Sequence, residues 1–171
     1  MLERFVKEVR GVAADAQEEA RARGSSTVES EHVLLALARD ADGLASQMLA
    51  HAGLDHATLL EALESEFERS LNAVGVTVEG LQAPAFPLAG RPRWGASAKS
   101  SLERALEVAR VRGDRRIESA HILLAVLNAR EGTIPRALRG AGVDPGQVIA
   151  ETQAAMGRAS RPLPHGRAAV G

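Results

Sequence analysis

The 171-residue sequence has no cysteine. Disulfides, thiolate metal sites and cysteine nucleophiles are therefore excluded, and the chain suits a reducing compartment. Tyrosine is also absent, and the aromatics are three phenylalanines and one tryptophan. That leaves too few rings for a base-stacking platform. Neither charge is in excess: 21 Lys and Arg stand against 22 Asp and Glu, a formal net charge of −1. No basic stripe marks a nucleic-acid face. No run approaches the roughly 18 apolar residues of a membrane span. The opening Met1-Leu2-Glu3-Arg4-Phe5 carries charges where a signal peptide needs an apolar core. The composition predicts a cytoplasmic protein with no nucleic-acid and no membrane partner.

The dominant feature that is present is a repeat. Val28-Glu29-Ser30-Glu31-His32-Val33-Leu34-Leu35-Ala36-Leu37 returns as Ile117-Glu118-Ser119-Ala120-His121-Ile122-Leu123-Leu124-Ala125-Val126, each position 89 residues after its partner. The same offset pairs Ala16 with Ala105, Arg23 with Arg112, Gly24 with Gly113, Gly43 with Gly132, Gly53 with Gly142 and Asp55 with Asp144. One ungapped offset over that span means a duplicated unit.

High Ala, Leu, Glu and Arg favour helix throughout. Phe5, Val9, Val12, Ala13, Ala16 and Ala20 recur at three- and four-residue steps, which predicts a helix from Leu2 to Arg23 closed by Gly24. Ser30 and Ser119 precede the apolar runs and read as N-caps of the second helices. Val33, Leu34 and Leu37, with Ile122, Leu123 and Val126, are expected core. Asp42-Gly43 and Glu131-Gly132 interrupt both copies alike. Third helices are expected over Leu44–His51 and Ile134–Arg139, and fourth helices over His56–Ala73 and Pro145–Met156, with Asp55 and Asp144 as caps. Val74–Val78 alternates like a strand, but it also echoes the Gly-Leu-Asp stop of Gly53–Asp55, which favours one more helical turn capped by Thr77. Pro84, Pro87, Gly90 and Pro92 make an irregular connector. The expected organisation is a first repeat over 1–73, a connector over 74–94, a second repeat over 95–157 and a mobile tail over 158–171. The fold class is all-α: two four-helix repeats about a pseudo-two-fold axis. Each repeat alone is small, so the halves should pack on each other.

Ser30-Glu31-His32-Val33-Leu34-Leu35-Ala36-Leu37, with Gln17-Glu18-Glu19-Ala20-Arg21 and Gly24 before it and Gly43 and Ala52-Gly53-Leu54 after it, resembles the Clp N-terminal repeat domain. This module fronts the ClpA- and ClpC-type Hsp100 ATPases. The resemblance covers Met1 to Met156, and Glu3-Arg4-Phe5 and the Lys99 segment are most similar to the ClpC branch. It implies a docking module for substrates and adaptors of the Clp protease. No Gly-x-x-x-x-Gly-Lys-Ser/Thr phosphate loop occurs in the sequence, so it reads as a stand-alone double repeat that works by binding. ClpC-type modules bind phosphoarginine through a carboxylate and a hydroxyl in each repeat, since guanidinium suits a carboxylate and phosphate suits donors. Glu31 matches the first carboxylate, and Ala120 replaces the second. Val6 and Gly95 stand at the hydroxyl positions. Weak phosphoarginine binding is therefore expected. The family also binds macrocyclic peptides on an apolar surface, which Leu2, Trp94 and Lys99 match by position, with Phe5 beside Leu2.

Bland alternatives stand next to each of these. His32 and His121 lack the neighbours of a metal ligand and read as locally hydrogen-bonded capping residues. Arg23 with Glu29, and Arg112 with Glu118, read as structural pairs. Glu31 is a ligand carboxylate or a helix-start charge. Trp94 is a binding hot spot or a plug between halves. Glu61, Glu64, Glu66 and Glu68 read as a solvated face, and His51, His56 and His165 as exposed. No Ser, His and Asp order identifies a catalytic set. The reading is a non-enzyme without cofactor or metal that binds proteins or peptides, including Clp components, as an adaptor or decoy. The alternative is a regulatory or structural partner that has kept the fold and lost Clp client binding.

Overall fold

Apolar residues at helical spacing give eight helices in the computed structural model, which describes residues 2–40, 42–76 and 90–159, and the side chains of 9–40, 42–76 and 90–158. Helices α1 (Leu2–Ala22), α2 (Ser30–Arg39), α3 (Leu44–His51) and α4 (His56–Ala73) form the first repeat. Helices α5 (Ala96–Arg112), α6 (Ser119–Leu127), α7 (Thr133–Gly140) and α8 (Pro145–Ala159) form the second. The expected side chains of Leu2, Phe5 and Val6, the Thr77 turn, Pro84, Pro87 and His165 lie outside the described residues. Of the expected tail, residues 158 and 159 belong to α8, which runs past Met156.

Stops and starts follow local chemistry. Gly24, Gly53, Gly113 and Gly142 all take positive φ just past a helix, a backbone conformation that costs any other residue a Cβ clash. Gly75 does the same after α4, as expected of a stop glycine. Asp55 caps α4, accepting from the Thr58 N–H at 2.8 Å.

The core is the repeated stretch itself. Val33 to Leu37 and Ile122 to Val126 are at most 1% exposed. Helices α2 and α6 meet at the centre, α1 lies on α2 and α5 on α6. The outer helices then exchange partners: α4 packs on α7 of the other repeat, and α3 packs on α8. That reciprocity is the pseudo-two-fold relation.

One small sheet departs from an all-helical reading. β1 (Thr27–Val28) pairs in parallel with β2 (Arg93–Trp94). Arg93 N–H donates to Ser26 C=O at 3.0 Å and Gly95 N–H to Val28 C=O at 2.9 Å. Each strand leads directly into a helix start.

Candidate docking surface

The bridge sets the N-termini of α2 and α5 side by side. Ser97 then clasps them together. Its hydroxyl donates to the Glu29 carboxylate and accepts from the Ser30 N–H at 2.9 Å. One turn further along α5, Ser101 Oγ meets Ser30 Oγ at 2.9 Å in a buried contact.

The caps differ from those expected. Glu29 and Glu118, rather than Ser30 and Ser119, are the N-caps of α2 and α6. Each forms a reciprocal capping box with the histidine three residues on. His32 Nδ1 accepts from the Glu29 N–H at 2.9 Å, and His121 Nδ1 from the Glu118 N–H at 3.0 Å. Both histidines are buried and held locally, as expected. The serines, one step inside the helix, are released to reach other elements: Ser30 reaches α5, and Ser119 Oγ accepts from the Ala45 N–H at 3.3 Å. An Nδ1 that accepts leaves the ring proton on Nε2, so His121 donates from Nε2 to Asp114 at 3.0 Å. Burial of Asp114 favours its neutral form, but the bonds from His121 and Arg112 outweigh this and hold its carboxyl below the usual range. Burial, then the Arg23 charge, lowers His32, keeping it neutral.

Gly95 leaves room for a neighbouring acid. A Cβ there would overlap the Glu29 carboxylate. The space that a hydroxyl-bearing side chain would need at the start of α5 is thus filled by an acid from α2.

Glu31 is half-buried in the first turn of α2. Burial raises its carboxyl above the usual range, and the Glu29 charge adds to this, while its own backbone N–H and Arg23 oppose. Ala120, its counterpart, is fully buried in a cluster with Leu124 and Met156, on which Leu44, Val108 and Ile149 pack. The second carboxylate position is therefore sealed by apolar packing. Trp94 is half-buried and rests on the main core, and Lys99 is exposed in the first turn of α5. The bridge and the Ser30–Ser97 bond bring the helix starts of Glu31, Trp94 and Lys99 together. Leu2 and Phe5 lie on α1, which packs against α2 and β1. A cleft of about 240 Å³ lies between α1 and the approach to β2, lined by Asp15, Glu18, Arg21, Arg91 and Pro92 among others.

This geometry marks the domain type. A family model described as the Clp repeat (R) N-terminal domain matches residues 4–84 and 94–168. The chain belongs to the Clp N-terminal repeat family. Among curated proteins, the chaperone protein ClpC2 of Oryza sativa subsp. japonica chloroplasts is 34% identical over 164 residues, which is 92% of this chain and 16% of that protein. The chloroplastic ATP-binding subunit ClpA homolog of Brassica napus is 34% identical over 148 residues, 86% of this chain and 15% of that protein. The chain thus spans about a sixth of the length of these relatives. In fold it resembles the N-terminal domain of ClpD from Arabidopsis thaliana, with TM-score 0.61, 19% identity and coverage of 91% of this chain and 99% of that one. The Hsp104 N-terminal domain from Candida albicans gives TM-score 0.61 and 20% identity, covering 90% and 91%.

Four further expectations need correction. Glu66 is 4% exposed rather than solvated, because the Leu59, Ala62, Leu63, Glu66 spacing carries it onto the packed face of α4. There it meets Arg136 of α7. His56 is half-buried, its Nε2 2.9 Å from the buried Glu19 carboxylate. Arg23 turns to Glu19 and Glu64 rather than Glu29. Arg112 turns to Asp114 rather than Glu118. Glu29 and Ser97 were missed as partners, although a capping residue repeated with its histidine was visible in the sequence.

Proposed function

We propose that this Clp N-terminal repeat domain is a non-catalytic protein- or peptide-binding module acting beside the Clp protease, as an adaptor that presents clients or as a decoy that competes for them. The observation that carries this reading is the joined start of α2 and α5, where Glu31, Trp94 and Lys99 come from elements locked together by Ser97. A rigid platform with an apolar ring, a cation and a half-buried carboxylate suits docking, because little freedom is lost on binding. Leu2 and Phe5 extend the same surface in this reading.

Two features shape the ligand. Glu29 places a negative charge where an anion would approach the start of α5, and Ala120 offers no carboxylate. A phosphoarginine ligand is therefore disfavoured, and an uncharged or cationic peptide, linear or macrocyclic, is favoured. The same two features favour a second reading, a regulatory partner that has kept the fold but left Clp clients behind.

Affinity capture from the native host's lysate, read by mass spectrometry, separates the two when wild type is run beside Lys99→Glu and Trp94→Ala. Recovery of a Clp ATPase or protease subunit, lost in both variants, supports the adaptor. Varied clients without the machine support the decoy. A single unrelated protein retained by both variants rejects this surface and this function.

A further inference from the structure

A different face of the domain exposes apolar surface in a regular line. Leu60, Phe67 and Leu71 of α4 and its C-cap Val74 follow at steps of seven, four and three, which is one stripe of a helix. Phe67 is 61% exposed and Val74 is 74% exposed, while Leu71 is half-buried and Leu60, also half-buried, packs on the core. Val76, 41% exposed, follows the stop at Gly75. The exposure is not imposed by the fold. At the matching positions of α8, Met156 is 3% exposed and Ile149 packs on the core. Leu106 and Val111, the exposed apolar residues of α5, lie five positions apart and so point to different sides.

Charge distinguishes the occupants. Glu61, Glu64 and Glu68 are exposed along the flank of the stripe away from the core. Arg23 is 3.7 Å from Glu64, which leaves Glu61 and Glu68 without a cation within ion-pair distance among the described residues. In an antiparallel two-fold pairing, a second copy would lay its own acidic flank along this one, which is repulsive. An anionic membrane surface is repelled for the same reason. A helix with Lys or Arg beside its apolar face satisfies both the stripe and the flank. Leu60 to Val74 spans about 21 Å at 1.5 Å per residue, room for a partner of about four turns.

The geometry points to α4 as a docking face for a basic amphipathic helix of another protein, with Phe67 as the apolar anchor and Glu61 and Glu68 as the charge-reading edge. This face uses none of Glu31, Trp94 or Lys99, so it stands or falls apart from the function proposed above. It gives the domain a second hand: one surface for the client and another for a partner.

The test uses the full chain and a fluorescein-labelled synthetic helix of about 15 residues, with Leu on one face and Lys on its flanks, read by anisotropy. A twin peptide carrying Glu for Lys is the control. The Lys peptide is expected to bind at least about tenfold more tightly than its twin. Phe67→Ser should weaken it by about tenfold or more, as loss of an aromatic anchor does. Glu61→Gln with Glu68→Gln should weaken it several-fold and flatten its salt dependence. Glu103→Gln with Glu107→Gln, on exposed α5, should change nothing. Circular dichroism checks that each variant keeps its helix content. Equal binding of both peptides, or binding indifferent to Phe67→Ser, overturns the proposal. So does a dimer in sedimentation velocity that Phe67→Ser dissolves, which would assign the stripe to a second copy.

Discussion

Arg136 Nε stands 2.5 Å from Oε1 of Glu66, and the two residues belong to different repeats. Ser70 Oγ donates to the same carboxylate at 2.9 Å, and Arg69 lies 3.3 Å from its other oxygen. A buried acid is thus satisfied on both oxygens exactly where α4 meets α7. The hydrogen bond from Arg136 leads the forces that hold its carboxyl below the usual range, against the opposing effect of burial.

Removing one partner of a buried carboxylate leaves it poorly compensated. Arg136→Ala is expected to cost about 1.5–3 kcal/mol in urea unfolding, the range for a hydrogen bond to a charged group. Because the folded pKa is depressed, the wild-type contribution is complete above the unfolded carboxylate pKa and is lost as pH falls through the lower folded value. The wild type and Arg136→Ala stability curves should therefore converge in acid. Parallel curves down to that range would remove Glu66 from the interface account.

Glu31 carries the opposite sign. Its folded pKa is raised, so the folded state holds its proton more tightly than the unfolded chain does. Stability attributable to this group falls as pH rises from the unfolded value through the raised folded one. Glu31→Gln should be more stable than wild type at neutral pH, with the gain fading toward the unfolded pKa. Thermal melts across pH would show it. A Gln variant less stable at neutral pH would mean that the charge is structurally favourable and is no cost kept for a ligand.

Gly95 and Glu29 should behave as a coupled pair. Gly95→Ser pushes the Glu29 carboxylate from its seat and should cost about 1–2 kcal/mol through the lost cap. In the background of Glu29→Gly the same serine has room. The double-mutant cycle is expected to show favourable coupling of about 0.5–3 kcal/mol between the two substitutions. Additive losses would show that the overlap is relieved at no cost.

Ala120→Glu tests whether the second repeat is closed. The new carboxylate would be placed in the apolar cluster of Leu124 and Met156, on which Leu44, Val108 and Ile149 pack. A loss of about 3–5 kcal/mol is expected, as for an uncompensated buried charge. A mild loss would mean that the side chain finds a route to water.

Much of the fold was readable because punctuation and periodicity agreed. The bounds of α3 and α4 follow from Gly43, Gly53 and Asp55, and the core from the doubled Val33-to-Leu37 stretch. What escaped depended on distant partners. Glu66 follows the apolar spacing of α4 but is acidic, and its residue type outweighed its position. Its chief partner, Arg136, is 70 residues away. Ser30 has the better capping side chain, yet Glu29 caps because His32 completes the box and Ser97 steadies the carboxylate. A two-residue strand pair leaves no periodic trace in sequence. Trp94 is half-buried and set at the joined helix starts, which is the partial exposure that the binding alternative expects of the ring.

The exchange of outer helices, α3 onto α8 and α4 onto α7, is the contact pattern of a symmetric homodimer, in which each surface meets its own copy rotated by half a turn. In a true homodimer every substitution is made twice. Here the two subunits share one chain, and that constraint is lifted. Glu31 can remain a half-buried charge at its helix start while Ala120, in the matching position, is surrendered to the core. The molecule can thus specialise one half and stabilise itself with the other.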